Sequence, residues 1–152
     1  MTRRSFAILT TLNPINMYHL ILDPHQPVKN LNDQFNGLFP FLRLEFFLFT
    51  HFSGQGSPSK EHIPGNQILL DYMLPVQRGT IAFDPKTTVS QLEEMFRKNF
   101  HLNAQVFRRS GNVWLETSKT DGWTLQMQNE EGEKSMEVIN ESVERDDEHD
   151  IY

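Results

Sequence analysis

The sequence predicts an α+β fold that contains two copies of one strand–helix–strand unit. The chain aligns with itself when it is shifted by 61 residues, so that Asp23-Pro24 falls on Asp84-Pro85, and no gap is needed from His19 to Phe46. In both halves, apolar residues at helical spacing lie between two short apolar runs. A fixed offset between similar segments is typical of a repeated supersecondary unit.

The first strand of each unit is predicted at Tyr18–Leu22 and at Thr80–Phe83. Each of these apolar runs ends at Asp-Pro, and a proline cannot donate a hydrogen bond within a central strand ladder. The remaining identities of the repeat pair Val28 with Val89, Leu31 with Leu92, Phe35 with Phe96, Phe39 with Phe100 and Phe46 with Phe107.

A helix of about three turns is predicted in the middle of each unit, because apolar residues recur there at i, i+3, i+7 and i+11. These residues are Val28, Leu31, Phe35 and Phe39 in the first unit and Val89, Leu92, Phe96 and Phe100 in the second. Thr88 and Gln91 have the spacing of a capping box at the start of the second helix.

The second strand of each unit is predicted at Leu42–Thr50 and Ala104–Arg109. A strand–helix–strand connection within one sheet implies parallel strands with a right-handed crossover. Two such units predict a ferredoxin-like sheet with both helices on one face. The alternative is a ubiquitin-like β-grasp fold formed mainly by the second half of the chain.

A C-terminal hairpin is predicted to add one strand to this sheet. Ser110-Gly111-Asn112 has strong turn chemistry, and Val113–Thr117 alternates between apolar and polar residues. On such a strand Val113 and Leu115 face one way, while Trp114 and Glu116 face the other.

The domain organisation follows from these patterns and from the charge. We expect an N-terminal extension at 1–16, which translation from Met17 would omit, and a single α+β domain at 17–128 with repeats at 18–47 and 79–108 and a loop at 53–65. Residues 129–152 carry ten acidic and two basic side chains, which gives −8 of the total net charge of −6. Few of them are apolar, so we expect an acidic disordered tail, with a frayed helix as the alternative.

The segment from Val106-Phe107-Arg108 through Ser110-Gly111 and Trp114 to Thr124-Leu125 resembles a family of small, uncharacterised bacterial proteins. The shared pattern is VFRRSGNVWLETSKTDGWTL, and Val89 to Phe100 is similar to the helix of that family. The resemblance implies that residues 80–129 fold as a unit in a cytoplasmic bacterial protein. It implies no activity, cofactor or site.

The sequence suggests no catalytic, cofactor-binding or metal-binding residues. The chain has no cysteine, so thiolate chemistry and thiolate metal ligands are excluded, and its six histidines show none of the usual ligand spacings. No nucleophile motif is present. No run of about 18 apolar residues is present either, so we expect no membrane span.

The predicted interaction surface surrounds the hairpin and comprises Arg108, Arg109, Trp114, Glu116 and Trp123. Tryptophan and arginine are enriched at protein interfaces. We nevertheless expect Trp114 itself to pack under the tail-side segment with Trp123 and Leu125, because large aromatic side chains are usually well buried.

These observations favour a non-enzymatic interaction or adaptor module that binds a protein partner or a second copy of itself. The alternative is a small ligand-binding protein or enzyme with a pocket between the two repeats, near Asp23 and Asp84. Binding to nucleic acid is disfavoured, because the acidic tail would oppose association with a polyphosphate.

Overall fold

A computed structural model describes residues 16–48 and 61–147, with side chains as far as Val143. The N-terminal extension up to residue 15, most of the predicted loop and residues 148–152 lie outside the described residues. In chain order the elements are β1 (Tyr18–Leu22), α1 (Lys29–Leu38), β2 (Leu42–Phe47), β3 (Gly79–Phe83), α2 (Val89–Phe100), β4 (Asn103–Ser110), β5 (Val113–Glu116) and α3 (Leu125–Asp147).

The strands form two antiparallel sheets, so the α+β class is confirmed. One sheet pairs β1 with β3, and the other has the order β2-β4-β5. The expectation of one sheet with parallel strands in each unit is wrong for the described residues, since each strand pairs with its counterpart in the other unit. Apolar alternation specifies which face of a strand is buried, but it does not specify which strand lies beside it.

One hydrophobic core holds both units together. The predicted helix faces are confirmed, because all eight apolar residues at the predicted positions are buried. The same core contains Leu20, Leu22, Ile81 and Phe83 from the first sheet, Leu42, Leu44, Phe46, Ala104 and Val106 from the second, and Leu125 from α3. The helices therefore pack on the inner faces of the sheets.

The predicted capping box at the start of α2 is confirmed. The backbone N–H of Gln91 donates to Thr88 Oγ1 (3.2 Å), and the backbone N–H of Thr88 donates to Gln91 Oε1 (2.9 Å). These bonds satisfy two backbone donors that the first turn of a helix otherwise leaves without partners. At the equivalent position of the first unit lies Pro27, and α1 has no side-chain cap.

The two units share a backbone hydrogen-bond pattern that extends beyond the predicted repeat. The N–H of Leu69 donates to the carbonyl of Gln26, and the N–H of Leu125 donates to that of Thr87. The next residue repeats the correspondence: Leu70 donates to Pro24, and Gln126 donates to Pro85. The segment after the second strand therefore returns to the start of the helix in both units.

The alignment of the units shifts by one residue at the second strand. Phe46 is buried, whereas Phe107, which the repeat pairs with it, lies half-buried on the opposite face. The helix ends differ, because α2 ends at His101 in the left-handed conformation (φ 54°), while α1 ends at Phe39 with φ −131°. The pairing of Phe46 with Phe107 in the repeat is therefore wrong at the level of sheet faces.

The tail from residue 129 is helical rather than disordered in the described part of the chain, where α3 runs to Asp147. Leu125 and Gln128 are fully buried, and Ser135 Oγ donates to the carbonyl of Arg109 (3.1 Å). Leu125, Gln128 and Gly132, at i, i+3 and i+7, form a narrow buried stripe that holds the helix against the sheet, although the rest of α3 is polar. None of the helices in the described part of the chain has both the length and the apolar character needed to span a bilayer.

Candidate interaction surface

The outer face of the β2-β4-β5 sheet is the candidate interaction surface. Side chains on this face alternate with those that enter the core, and none of them is buried. We call this set the outer sheet face; it comprises Arg43, Glu45 and Phe47 from β2, Asn103, Gln105, Phe107 and Arg109 from β4, and Trp114 and Glu116 from β5. The helices contact the other side of the sheet, so they leave this face uncovered within the described residues.

Trp114 contacts two arginines of this face. Its indole is 5.3 Å from the guanidinium carbon of Arg109 and 5.8 Å from that of Arg43. The pairing of Trp114 with Arg109 explains the first contact, because directly opposed residues on an antiparallel pair share a face. The expectation that Trp114 packs with Trp123 and Leu125 is wrong, since α3 lies on the opposite side of the sheet.

The five predicted surface residues therefore divide between two faces. Arg109, Trp114 and Glu116 lie on the outer sheet face, whereas Arg108 faces α3. There the Arg108 guanidinium donates to Gln128 Oε1 (2.8 Å) and lies 5.7 Å from the ring of Trp123. Arg108 and Trp123 hold α3 against the sheet, so only three of the five residues remain in the candidate surface.

Two phenylalanines extend the outer sheet face away from Trp114. The rings of Phe47 and Phe107 are 6.5 Å apart, and the ring of Phe47 also contacts His62 at 5.4 Å. His62 in turn lies 2.5 Å from Glu45, which also forms an ion pair with Arg43. Sequence reasoning missed Arg43, Phe47 and Phe107, although alternation along β4 from the hairpin inward placed Phe107 on the same face as Arg109.

The edge of β5 adjoins the outer sheet face. The backbone N–H of Thr117 donates to the carbonyl of Val106, so alternate residues of β5 bond to β4, and the backbone of Trp114 points away from it. Within the described residues, β4 is the strand that pairs with β5. Val113 and Leu115 are 55% and 43% exposed. This edge therefore combines accessible backbone groups with apolar side chains.

Within the described residues, Asp23 and Asp84 do not lie together as the predicted pocket requires. Antiparallel pairing places Asp23 beside Arg78 at one end of the β1-β3 sheet and Asp84 at the other end, about 20 Å away along the strand. Each carboxylate instead accepts a hydrogen bond from the backbone two residues later, at His25 (3.0 Å) and Lys86 (2.7 Å). Both aspartates are turn residues.

No protein-family model, curated protein or solved structure matches the chain. Function is therefore inferred from the geometry of the described residues.

Proposed function

We propose that this protein is a non-enzymatic interaction module that binds a protein partner through the outer sheet face. The observation that supports this proposal most directly is that a sheet face that is uncovered within the described residues carries Trp114 in contact with two arginines. Tryptophan and arginine dominate the energetics of protein interfaces when a partner covers them. The open shape of the face suits binding better than catalysis, which uses concave sites.

The arginines on Trp114 are suited to recognising a carboxylate. A guanidinium that rests on an indole already has a restricted set of conformations, so binding costs less side-chain entropy. Arg43 is paired with Glu45, whereas Arg109 forms no ion pair with a described residue. We infer that the partner presents an acidic side chain to Arg109 and an apolar side chain to Phe107.

The β5 edge supplies a second point of contact in this proposal. An extended segment of the partner can add a strand beside β5 and use the backbone groups of Trp114, which point away from β4. Backbone pairing gives affinity with little dependence on sequence, whereas the side chains of the outer sheet face give specificity. The same edge could pair with a second copy of the chain.

Photocrosslinking tests the proposal. A photoreactive phenylalanine analogue at Phe107 is expected to capture a specific partner in cells, whereas the same analogue at Asp33, which is exposed on α1, is expected to capture none. Titration of the purified partner then measures how much individual side chains contribute to the affinity. Trp114→Ala and Arg109→Ala should each weaken binding at least about tenfold, as expected for important interface residues.

Trp123→Ala is the matched control, because Trp123 lies on the α3 side of the sheet. It should leave the affinity for the partner unchanged. Equal capture from positions 33 and 107, or full affinity in Trp114→Ala protein with normal thermal stability, would contradict the proposal.

We also infer that the chain arose by duplication of one unit and that both copies now share one core. The matched hydrogen bonds from Leu69 and Leu125, and from Leu70 and Gln126, support this inference. They extend the proposed ancestral unit to the residues after the second strand, where sequence identity between the copies has faded.

A further inference from the structure

A cavity of about 270 Å³ lies between the two units, at the end of the β2-β4 pair farther from Trp114. Phe47, Leu48 and Ile63 from the first unit and Leu102 from the second provide its apolar walls. Asp71, Tyr72, His101 and Asn103 provide polar groups at its rim. The cavity is separate from the two aspartates at the strand ends, and it shares only Phe47 and Asn103 with the outer sheet face.

The cavity exists because the first unit lacks a helix that the second unit has. In the second unit α3 continues beyond Leu125, and its next turns pack against Phe41 and Arg108 through Asn129, Gln128 and Gly132. In the first unit the equivalent segment is a single 3₁₀ turn at 69–71. Pro75 follows closely, and the residue before a proline is disfavoured in a helix.

The correspondence between the units locates the cavity at the position of the missing helical turn. Because Leu69 and Leu70 match Leu125 and Gln126 in their hydrogen bonds, Tyr72 occupies the position of Gln128. The bridge between Phe47 and His62 likewise matches the pairing of Phe107 with Glu116. Leu48 therefore lies at the position equivalent to Arg108 and forms one wall of the cavity. Leu102 lies at the position equivalent to Phe41 and forms another wall.

The polar groups at the rim of the cavity favour a ligand that carries a hydrogen-bond donor. The carboxylate of Asp71 has no ion pair or hydrogen bond with a described residue, and it is the only acidic group that lines the cavity. The Tyr72 hydroxyl donates to Gln67 Oε1 (3.2 Å), so its oxygen remains an acceptor. With the amide oxygen of Asn103, the rim offers three acceptors beside the imidazole of His101, above an apolar floor.

We propose that this cavity binds a small molecule with a primary ammonium group and a compact apolar body, such as an aryl ring on a short chain. The ammonium contacts Asp71, and the ring lies against Leu48, Ile63 and Leu102. The volume suits a molecule of this size and is too small for a whole helical turn with its side chains. Its mixture of apolar and polar walls is typical of small-molecule sites.

Titration of the full chain with 2-phenylethylamine, followed by ¹H–¹⁵N NMR, tests the proposal. The amide signals of Phe47, Tyr72 and Asn103 are expected to shift in a saturable way, while those of Arg109 and Trp114 stay in place. The neutral isostere 2-phenylethanol should bind at least about tenfold more weakly, because it lacks the charge that strengthens the bond to a carboxylate.

Asp71→Asn should lower the affinity for the amine about tenfold and leave that for the alcohol nearly unchanged. Asp33→Asn is the matched control and should change neither. Leu48→Trp, at a partly exposed wall, should block both ligands without unfolding the protein. Equal binding of amine and alcohol, shifts outside the cavity, or full affinity in Asp71→Asn protein would overturn the proposal.

Discussion

Two glycines show how closely packed the interior is at the scale of single residues. A Cβ atom at Gly79, the first residue of β3, would lie 2.3 Å from Cε1 of Phe100. At Gly37, within α1, nothing lies within 4 Å of the equivalent position. The first glycine is therefore required by the packing of α2 on β3, whereas the second only lowers the stability of its helix.

Alanine substitution at these glycines should have opposite effects. Gly79→Ala should lower the free energy of unfolding by about 1–3 kcal/mol, because the Phe100 ring must move in a close-packed core. Gly37→Ala should raise it by about 0.5–1 kcal/mol, since alanine favours the helix. Urea denaturation of both variants measures the difference, and a stabilising Gly79→Ala would contradict the packing described here.

The capping box of α2 is a further prediction at this scale. Thr88→Ala should cost about 1 kcal/mol of unfolding free energy, because the backbone N–H of Gln91 loses its acceptor. Thr88→Ser keeps the oxygen and should recover most of the loss. Thermal denaturation of the two variants checks this, and equal melting temperatures would show that the cap contributes little.

At the scale of elements, α3 depends on a close approach to the sheet. Gly132 is the contact point, because a Cβ there would lie 2.8 Å from Cβ of Phe41 and 3.1 Å from its carbonyl oxygen. Nearby, Arg108 and Asn129 bond across the same interface. A helix with few apolar residues can therefore stay docked, since its backbone comes close enough for these polar contacts.

Gly132→Ala should displace α3 from β4. We expect faster hydrogen exchange at Phe41 and Gly111, whose backbone N–H groups donate to Asn129 Oδ1 and Ser135 Oγ of α3, and a lower melting temperature. Gly122→Ala, where a Cβ would meet nothing within 4 Å, is the control. Unchanged exchange in Gly132→Ala protein would mean that α3 is held by other contacts.

At the scale of the whole molecule, the two units depend on each other. Both strands of the first unit pair with strands of the second, and within the described residues β1 and β2 do not pair with each other. A separated unit would expose these strand edges and half of the shared core. The protein should therefore unfold in one cooperative step.

Fragment complementation tests this interdependence. Fragments 16–77 and 78–147 should each be largely unfolded by circular dichroism, and an equimolar mixture should regain secondary structure and a cooperative melting transition. Each fragment at twice the concentration is the control for self-association. A fragment that folds as a monomer would contradict the exchange of strand partners between units.

Some features of this fold could be predicted from the sequence, and others could not. The faces of α1 and α2 follow from apolar spacing, and the hairpin at Gly111 follows from turn chemistry, since both depend on residues close in the chain. The alignment of β4 with β2 in the repeat was not predictable. The left-handed conformation of His101, at the end of α2, shifts β4 by one residue relative to that alignment. That shift placed Phe107 on the outer sheet face rather than in the core.

The sequence by itself therefore determined the α+β class, the helix faces, the capping box and which side chains of β5 share a face. Only the tertiary structure decided which strands pair, that α3 docks on β4, and that Arg43 reaches Trp114 across the sheet. The physical reason is that the periodicity of a helix or strand depends on side chains that are close in the chain. Backbone hydrogen bonds, in contrast, can form between any two strands. The choice of partner depends on how the whole core packs.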